Sequence, residues 1–136
     1  MKILAVDFGE ARTGIAVSDA TRTLVGDAWT IESKNIKETA QKVAKEAIAR
    51  GVSCLVVGLP KNMDGSLGAR AERSKEFAEL LRSNCEIEVQ LWDERMTTIS
   101  ASRILKESGK FGKKRKKTID AVAASIILES YLGSLK

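Results

Sequence analysis

Asp7 closes the apolar run KILAVD and stands immediately before Phe8-Gly9, while Asp93 and Glu94 follow Trp92 at the end of EIEVQLW and Asp120 opens an apolar helical pattern near the carboxyl end. If the runs that end at Asp7 and Asp93 finish at a common sheet edge, three distant parts of the chain bring carboxylates into one neighbourhood. Ionised carboxylates held close together repel, and each resists ionisation. A divalent cation removes that conflict. The chain contains no histidine, which excludes His-based triads, imidazole general bases and His-ligated zinc or haem. Its two cysteines, Cys54 and Cys85, cannot build a four-thiolate site or a disulfide framework and read as reduced core residues. Ligation by oxygen alone selects Mg²⁺ or Mn²⁺ over zinc. One such ion, or a pair about 3.5 to 4 Å apart, activates water and neutralises the leaving oxygen in phosphodiester hydrolysis. Each acid taken singly also has a structural explanation: Asp7 as a turn residue before Gly9, Glu94 as a surface partner of Arg95, Asp120 as a favourable charge near a helix N-terminus.

The elements that would position these acids can be read from hydrophobic period. KILAVD (2–7), TGIAVSD (13–19) and LVGDAWTI (24–31) are strand-length runs with short connections, which predicts an antiparallel meander. Ile36, Ala40, Val43, Ala44, Ala47 and Ile48 then recur at helical spacing with Gly51 beyond them, predicting a helix over 36–50. VSCLVVG (52–58) is continuously apolar, as in a strand buried on both faces. The loop PKNMDGSLG leads to a helix near 67–82, EIEVQLW (86–92) alternates as a strand, and helices near 98–108 and 118–133 end the pattern, with Thr118 as the N-cap of the latter. This order predicts an α/β fold in one domain over 1–136: a five-stranded mixed sheet, built from an antiparallel meander plus two parallel crossover strands and flanked by helices. Ligands of such sheets bind beyond the carboxyl ends of the crossover strands.

The chain has 136 residues, 43% apolar and 30% charged, ordinary values for one soluble domain. No apolar stretch approaches the roughly 18 residues that cross a bilayer, and Asp7 interrupts MKILAVDFG too early for a signal peptide, so no membrane partner and a cytoplasmic location are expected. The net charge of +5 is unevenly placed, since residues 1–105 hold 15 Lys and Arg against 15 Asp and Glu, and residues 106–136 hold 8 against 3. Within KESGKFGKKRKK (106–117) lies Lys113-Lys114-Arg115-Lys116-Lys117, next to Asp120. Such a run reads as a phosphate-seeking segment or as a solvated basic loop. Backbone attraction of this kind is blind to sequence and falls with salt. With aromatics at 4%, there is little material for stacking on single strands. Arg12 and Arg95 adjoin candidate acids, and Asn62, Ser66 and Arg70 lie in or after the glycine-bracketed loop; all five are candidate nucleic-acid contacts, though a plain turn and capped helix would also account for the loop residues. The loop is not a Walker motif, because the spacing fails and Gly-Lys-Ser/Thr is missing.

The strings DFGEARTGIAVSD (7–19), GLPKNMDGS (58–66), WDERMTT (92–98) and DAVAASIILESYL (120–132) resemble, in order and across nearly the whole chain, the signature blocks of the YqgF family, also called RuvX-like. The resemblance implies an RNase H-like fold. It implies Asp7, Glu94 and Asp120 as the catalytic and metal-binding acids, with Mg²⁺ or Mn²⁺ as one or two ions. It also implies a metal-dependent endonuclease acting on structured RNA, in 5′-end maturation of the small-subunit (16S) ribosomal RNA precursor, with the ribosomal particle as a further candidate partner. Two other readings remain: a resolvase of branched DNA, which requires a dimer with two symmetric sites, and a non-catalytic nucleic-acid-binding assembly factor. A monomer and a weak homodimer are both open. Asp-Phe-Gly before a glycine hairpin also resembles the start of actin-like ATPases, but those need two lobes and this chain has the length of one.

Overall fold

The computed structural model describes residues 2–19, 25–62, 64–94 and 113–135, with side chains in the last stretch from residue 121 onward. The elements run β1 (Lys2–Asp7), β2 (Arg12–Ser18), β3 (Val25–Glu32), α1 (Ile36–Ala49), β4 (Val52–Leu59), α2 (Ala69–Asn84), β5 (Glu88–Asp93) and α3 (Lys113–Ser134). The expected helix at 98–108 and Arg95 lie outside the described residues.

Alternation in β1 fixes both layers of the molecule. Leu4 and Val6 face one side, where Ala40, Val43, Ala44 and Ala47 of α1 and Phe77, Ala78 and Leu81 of α2 complete a core. Ile3 and Ala5 face the other, packing with Cys54 and Val56 of β4 and with Ala124, Ile127, Leu128, Tyr131 and Leu132 of α3. A period of two in the strand and of three to four in the helices is what sets these faces. Because β1 and β4 are buried on both sides, their continuous apolar runs carry no solvent-facing alternation.

The sheet order is β3-β2-β1-β4-β5. β1 pairs antiparallel with β2, as does β2 with β3, whereas β1 with β4 and β4 with β5 are parallel. The meander and the two parallel crossover strands are therefore as the sequence predicts. α1 is capped by Asn35, whose side chain accepts from the backbone N–H of Lys37 (2.9 Å) and Glu38 (3.1 Å), a bond pair typically contributing about 1 kcal/mol.

One boundary differs in a way that matters. α3 starts at Lys113, five residues before the expected start, so Thr118 lies inside the helix and is not its N-cap, and Asp120 sits about two turns in rather than at its opening. Lys and Arg are good helix formers, and nothing in KKRKKTID stops the helix from extending through them. The basic run is consequently the first part of α3 and not a loop.

Candidate active site

The parallel strands β1, β4 and β5 end at one edge, and parity decides which face each terminal residue occupies. Asp7 shares its side of β1 with Ile3 and Ala5, Gly58 shares its side of β4 with Cys54 and Val56, and Glu94 follows Trp92 by two residues. Ile3, Ala5, Cys54, Val56 and Trp92 all pack in the layer beneath α3. In register, Val6 lies beside Val57 and Gly58 beside Trp92. One step further along β1 brings Asp7 beside Gly58, with neighbouring strands about 4.8 Å apart.

Gly58 leaves a bare patch in the middle of this edge. A Cβ there would stand 3.0 Å from Glu94 Cδ, 3.1 Å from Glu94 Cγ and 2.6 Å from Ile127 Cδ1. The Glu94 side chain therefore folds back over the sheet and lays its carboxyl group on the glycine that separates it from Asp7. The turn after Asp7 is equally constrained: a Cβ on Gly9 would collide with the carbonyl oxygen of Arg12, and the buried Thr13 hydroxyl donates to the Gly9 carbonyl (3.3 Å).

α3 crosses this edge in a definite direction. Ile127 lies over Gly58, whereas Tyr131 packs on Trp92, with ring centroids 5.5 Å apart, in the same buried cluster as Cys54, four residues back along β4. The helix thus runs antiparallel to β4, and its amino-terminal half extends past the carboxyl ends of the strands. Asp120 is seven residues before Ile127 in that half, about 10 Å along the axis, at a register position in line with Ala124 and Ile127.

Burial pushes the Glu94 carboxyl above its ordinary range, the nearby Arg70 charge pulls it down, and Asp93 pushes it up. A half-buried carboxylate in that situation gains from a cation. The donors at this edge are oxygens on both counts, with no thiol or imidazole, a set suited to Mg²⁺ or Mn²⁺ and not to zinc. Among the described residues no cluster of three or more metal-ligating side chains occurs, so a complete set requires a further ligand, and the backbone position of Asp120 makes it the natural candidate.

The remaining predicted residues divide. Arg12 opens β2, half-buried, at the same edge. Arg70, exposed in the first turn of α2, is electrostatically coupled to Glu94. Asn62 and Ser66 instead shape their own loop: Asn62 Nδ2 donates to Ser66 Oγ (3.0 Å), and Ser66 donates through its hydroxyl (2.6 Å) and backbone N–H (2.9 Å) to Asp64 Oδ1. Lys113, Lys114, Arg115, Lys116 and Lys117 form the start of α3, on the end of the helix that passes the site. Sequence reasoning missed three features here. Gly58 matters as a bare surface, where glycine in a sequence signals only a turn. Phe8 stacks on Phe77 at 4.8 Å, and Glu10 pairs with Arg73, so both dock the β1–β2 turn on α2 through partners too far apart in sequence to be foreseen.

The chain matches, over residues 1–134, the family described as "RuvX: Holliday junction resolvase". A Clostridium novyi protein named "Putative pre-16S rRNA nuclease" is 38% identical over 135 residues, covering 99% of this chain and 100% of its own. A Halothermothrix orenii protein of the same name is 41% identical over 133 residues, covering 98% and 95%. Among solved structures, Thermus thermophilus RuvC in complex with a Holliday junction substrate superposes with a TM-score of 0.67 at 10% identity, covering 100% of this chain and 97% of that one. The fowlpox virus Holliday junction resolvase gives 0.63 at 14% identity, with full coverage of both. The fold is thus that of the RuvC-like, RNase H-type resolvases.

Proposed function

This chain belongs to the RuvX family, and on that premise we propose that it is a divalent-metal-dependent endonuclease that cuts structured RNA, the 5′ leader of the 16S ribosomal RNA precursor, during ribosome assembly in the cytoplasm. As a member of a nuclease family it is a hydrolase of phosphodiester bonds. The observation that carries the metal-dependent reading is the Glu94 carboxyl group folded over bare Gly58 beside Asp7.

Asp7, Glu94 and Asp120 would hold Mg²⁺ or Mn²⁺, which when bound supplies an activated water and stabilises the departing oxygen. The chain's own contribution is to fix the ligands on a rigid edge. Strand pairing holds Asp7, Gly58 leaves room for Glu94, and α3 carries Asp120 over the same edge. Arg12 and Arg70 flank the acids with fixed positive charge for the substrate backbone, and the basic start of α3 draws a polyanion to that end of the helix. A phosphodiester entering there meets cations on either side of the acidic pair, an arrangement that orients it without reading bases.

The substrate assignment follows the relatives at about 40% identity, named for the ribosomal RNA precursor, over structures at 10 to 14% identity, which speak to fold alone. Branched DNA is the second reading, favoured by the description of the matching family. The test is cleavage with Mg²⁺ of a precursor fragment carrying the leader, presented free and within a precursor ribosomal particle, alongside a four-way DNA junction. The expected result is a discrete metal-dependent cut in the RNA and an intact junction. Symmetric cutting of the junction by a dimer, with the RNA untouched in both forms, would replace this reading with the second.

A further inference from the structure

At the mouth of this edge an arginine is held by a carboxylate from another part of the fold. Arg73 of α2 sends Nε to Glu10 Oε1 (2.8 Å) and Nη2 to Glu10 Oε2 (3.2 Å), while its Nη1 donates to Glu76 Oε2 (2.6 Å). Glu10 belongs to the β1–β2 turn, three residues after Asp7 and 63 from Arg73. Two oxygens meeting Nε and Nη2 side by side is also the geometry in which arginine takes two oxygens of a phosphate. Beside this pair lies a cavity of about 30 Å³ lined by Phe8, Gly9, Glu10, Arg70 and Arg73. With the Glu10 carboxylate filling the fork, a phosphate entering this cleft meets the arginine fork only once Glu10 leaves.

The surroundings make the exchange feasible. Phe8 is buried and stacked on Phe77, so the turn stays anchored on α2 when the Glu10 side chain leaves. Glu10 itself is 62% exposed, and an exposed ion pair contributes little to stability. Glu76, one turn along α2, keeps Arg73 oriented after Glu10 departs. Arg70, one turn before Arg73 on the same helix, adds a second cation to the same cavity.

We propose that Arg73 and Arg70 form a seat for one backbone phosphate of the nucleic-acid substrate, and that Glu10 is a built-in placeholder which occupies the seat in the free protein and is displaced on binding. The seat rests on the nucleic-acid reading given above and deepens it. It sets a threshold, because an isolated anion competes with a tethered carboxylate whereas a polyanion already held by the basic start of α3 displaces it.

The test is binding in EDTA, where no cleavage occurs, by anisotropy of a labelled RNA hairpin from the precursor leader and of a four-way DNA junction at a series of salt concentrations. Glu10→Gln is expected to tighten both several-fold at every salt concentration, because the same phosphate fills the seat in the wild type once Glu10 leaves, and loss of Arg73 is expected to flatten the salt dependence by up to about 0.9 log units per log unit of salt, the value for one neutralised phosphate. Arg73→Gln weakens both. Arg73→Lys keeps the charge but loses the fork, and behaves like Arg73→Gln. Unchanged or weaker binding by Glu10→Gln, or binding by Arg73→Lys equal to wild type, would overturn the seat. Because both residues are at the surface, all three variants should keep the thermal midpoint of the wild type. A protein that shows these binding effects yet cuts neither polyanion with Mg²⁺ refutes the nuclease reading and leaves the seat standing.

Discussion

Asp7→Asn lowers metal-dependent cleavage by more than about 100-fold while leaving the protein folded. Loss of an outer-shell partner of a metal ligand typically costs 10- to 100-fold, and replacing the ligand itself costs at least as much. Asn keeps the shape of Asp at the end of β1, so the pairing of Asp7 with Gly14 and the Gly9 turn are preserved. It also removes one of the negative charges crowded at this edge, so the thermal midpoint is expected to stay level or to rise. The checks are single-turnover cleavage of the RNA fragment and a melting curve on the same preparation. A variant that cuts at the wild-type rate removes Asp7 from the chemistry.

The second large effect comes from a residue with no chemistry of its own. Gly58→Ala puts a methyl carbon 2.6 Å from Ile127 Cδ1 and 3.0 Å from Glu94 Cδ, both closer than van der Waals contact. Ile127 is only 1% exposed and packed in the cluster beneath α3, so overpacking is expected to cost roughly 1–3 kcal/mol. Glu94 can move, but only off the surface of Gly58. A displacement of about 1 Å in a catalytic group can cost on the order of 100-fold, so cleavage falls together with stability. Adding Ile127→Val removes the clashing Cδ1. The double variant therefore regains part of the thermal midpoint but little of the activity, since the Glu94 clash persists. Recovery of both together would mean that Gly58 serves packing alone.

These effects indicate how much the sequence reveals. Strand ends at Asp7 and Asp93 and the parallel placement of β1, β4 and β5 are legible, because hydrophobic period and connection length are local properties. Placement at element ends raises Asp7, Asp93 and Glu94 alike, and it is the family resemblance that singles out Glu94 over Asp93. Asp120 is legible as a residue of the last helix, although not at its start, because five consecutive helix-forming cations give no sign of where a helix begins. Gly58 is not legible, since its importance lies in what two distant residues place above it. Nor is the Glu10–Arg73 pair, which joins a turn to a helix 63 positions away through side chains of the commonest surface types. Asn62 and Ser66 show the converse: residues that suit phosphate contact can also be used to close a loop on itself.

Binding of Mn²⁺ to the wild type and to Asp7→Asn, Glu94→Gln and Asp120→Asn, followed by calorimetry without nucleic acid, addresses the shared carboxylate centre without reference to any substrate. Saturable binding by the wild type, lost or weakened at least tenfold in each of the three variants, is the predicted result. Wild-type affinity retained by any one of the three would show that its carboxylate does not belong to the centre.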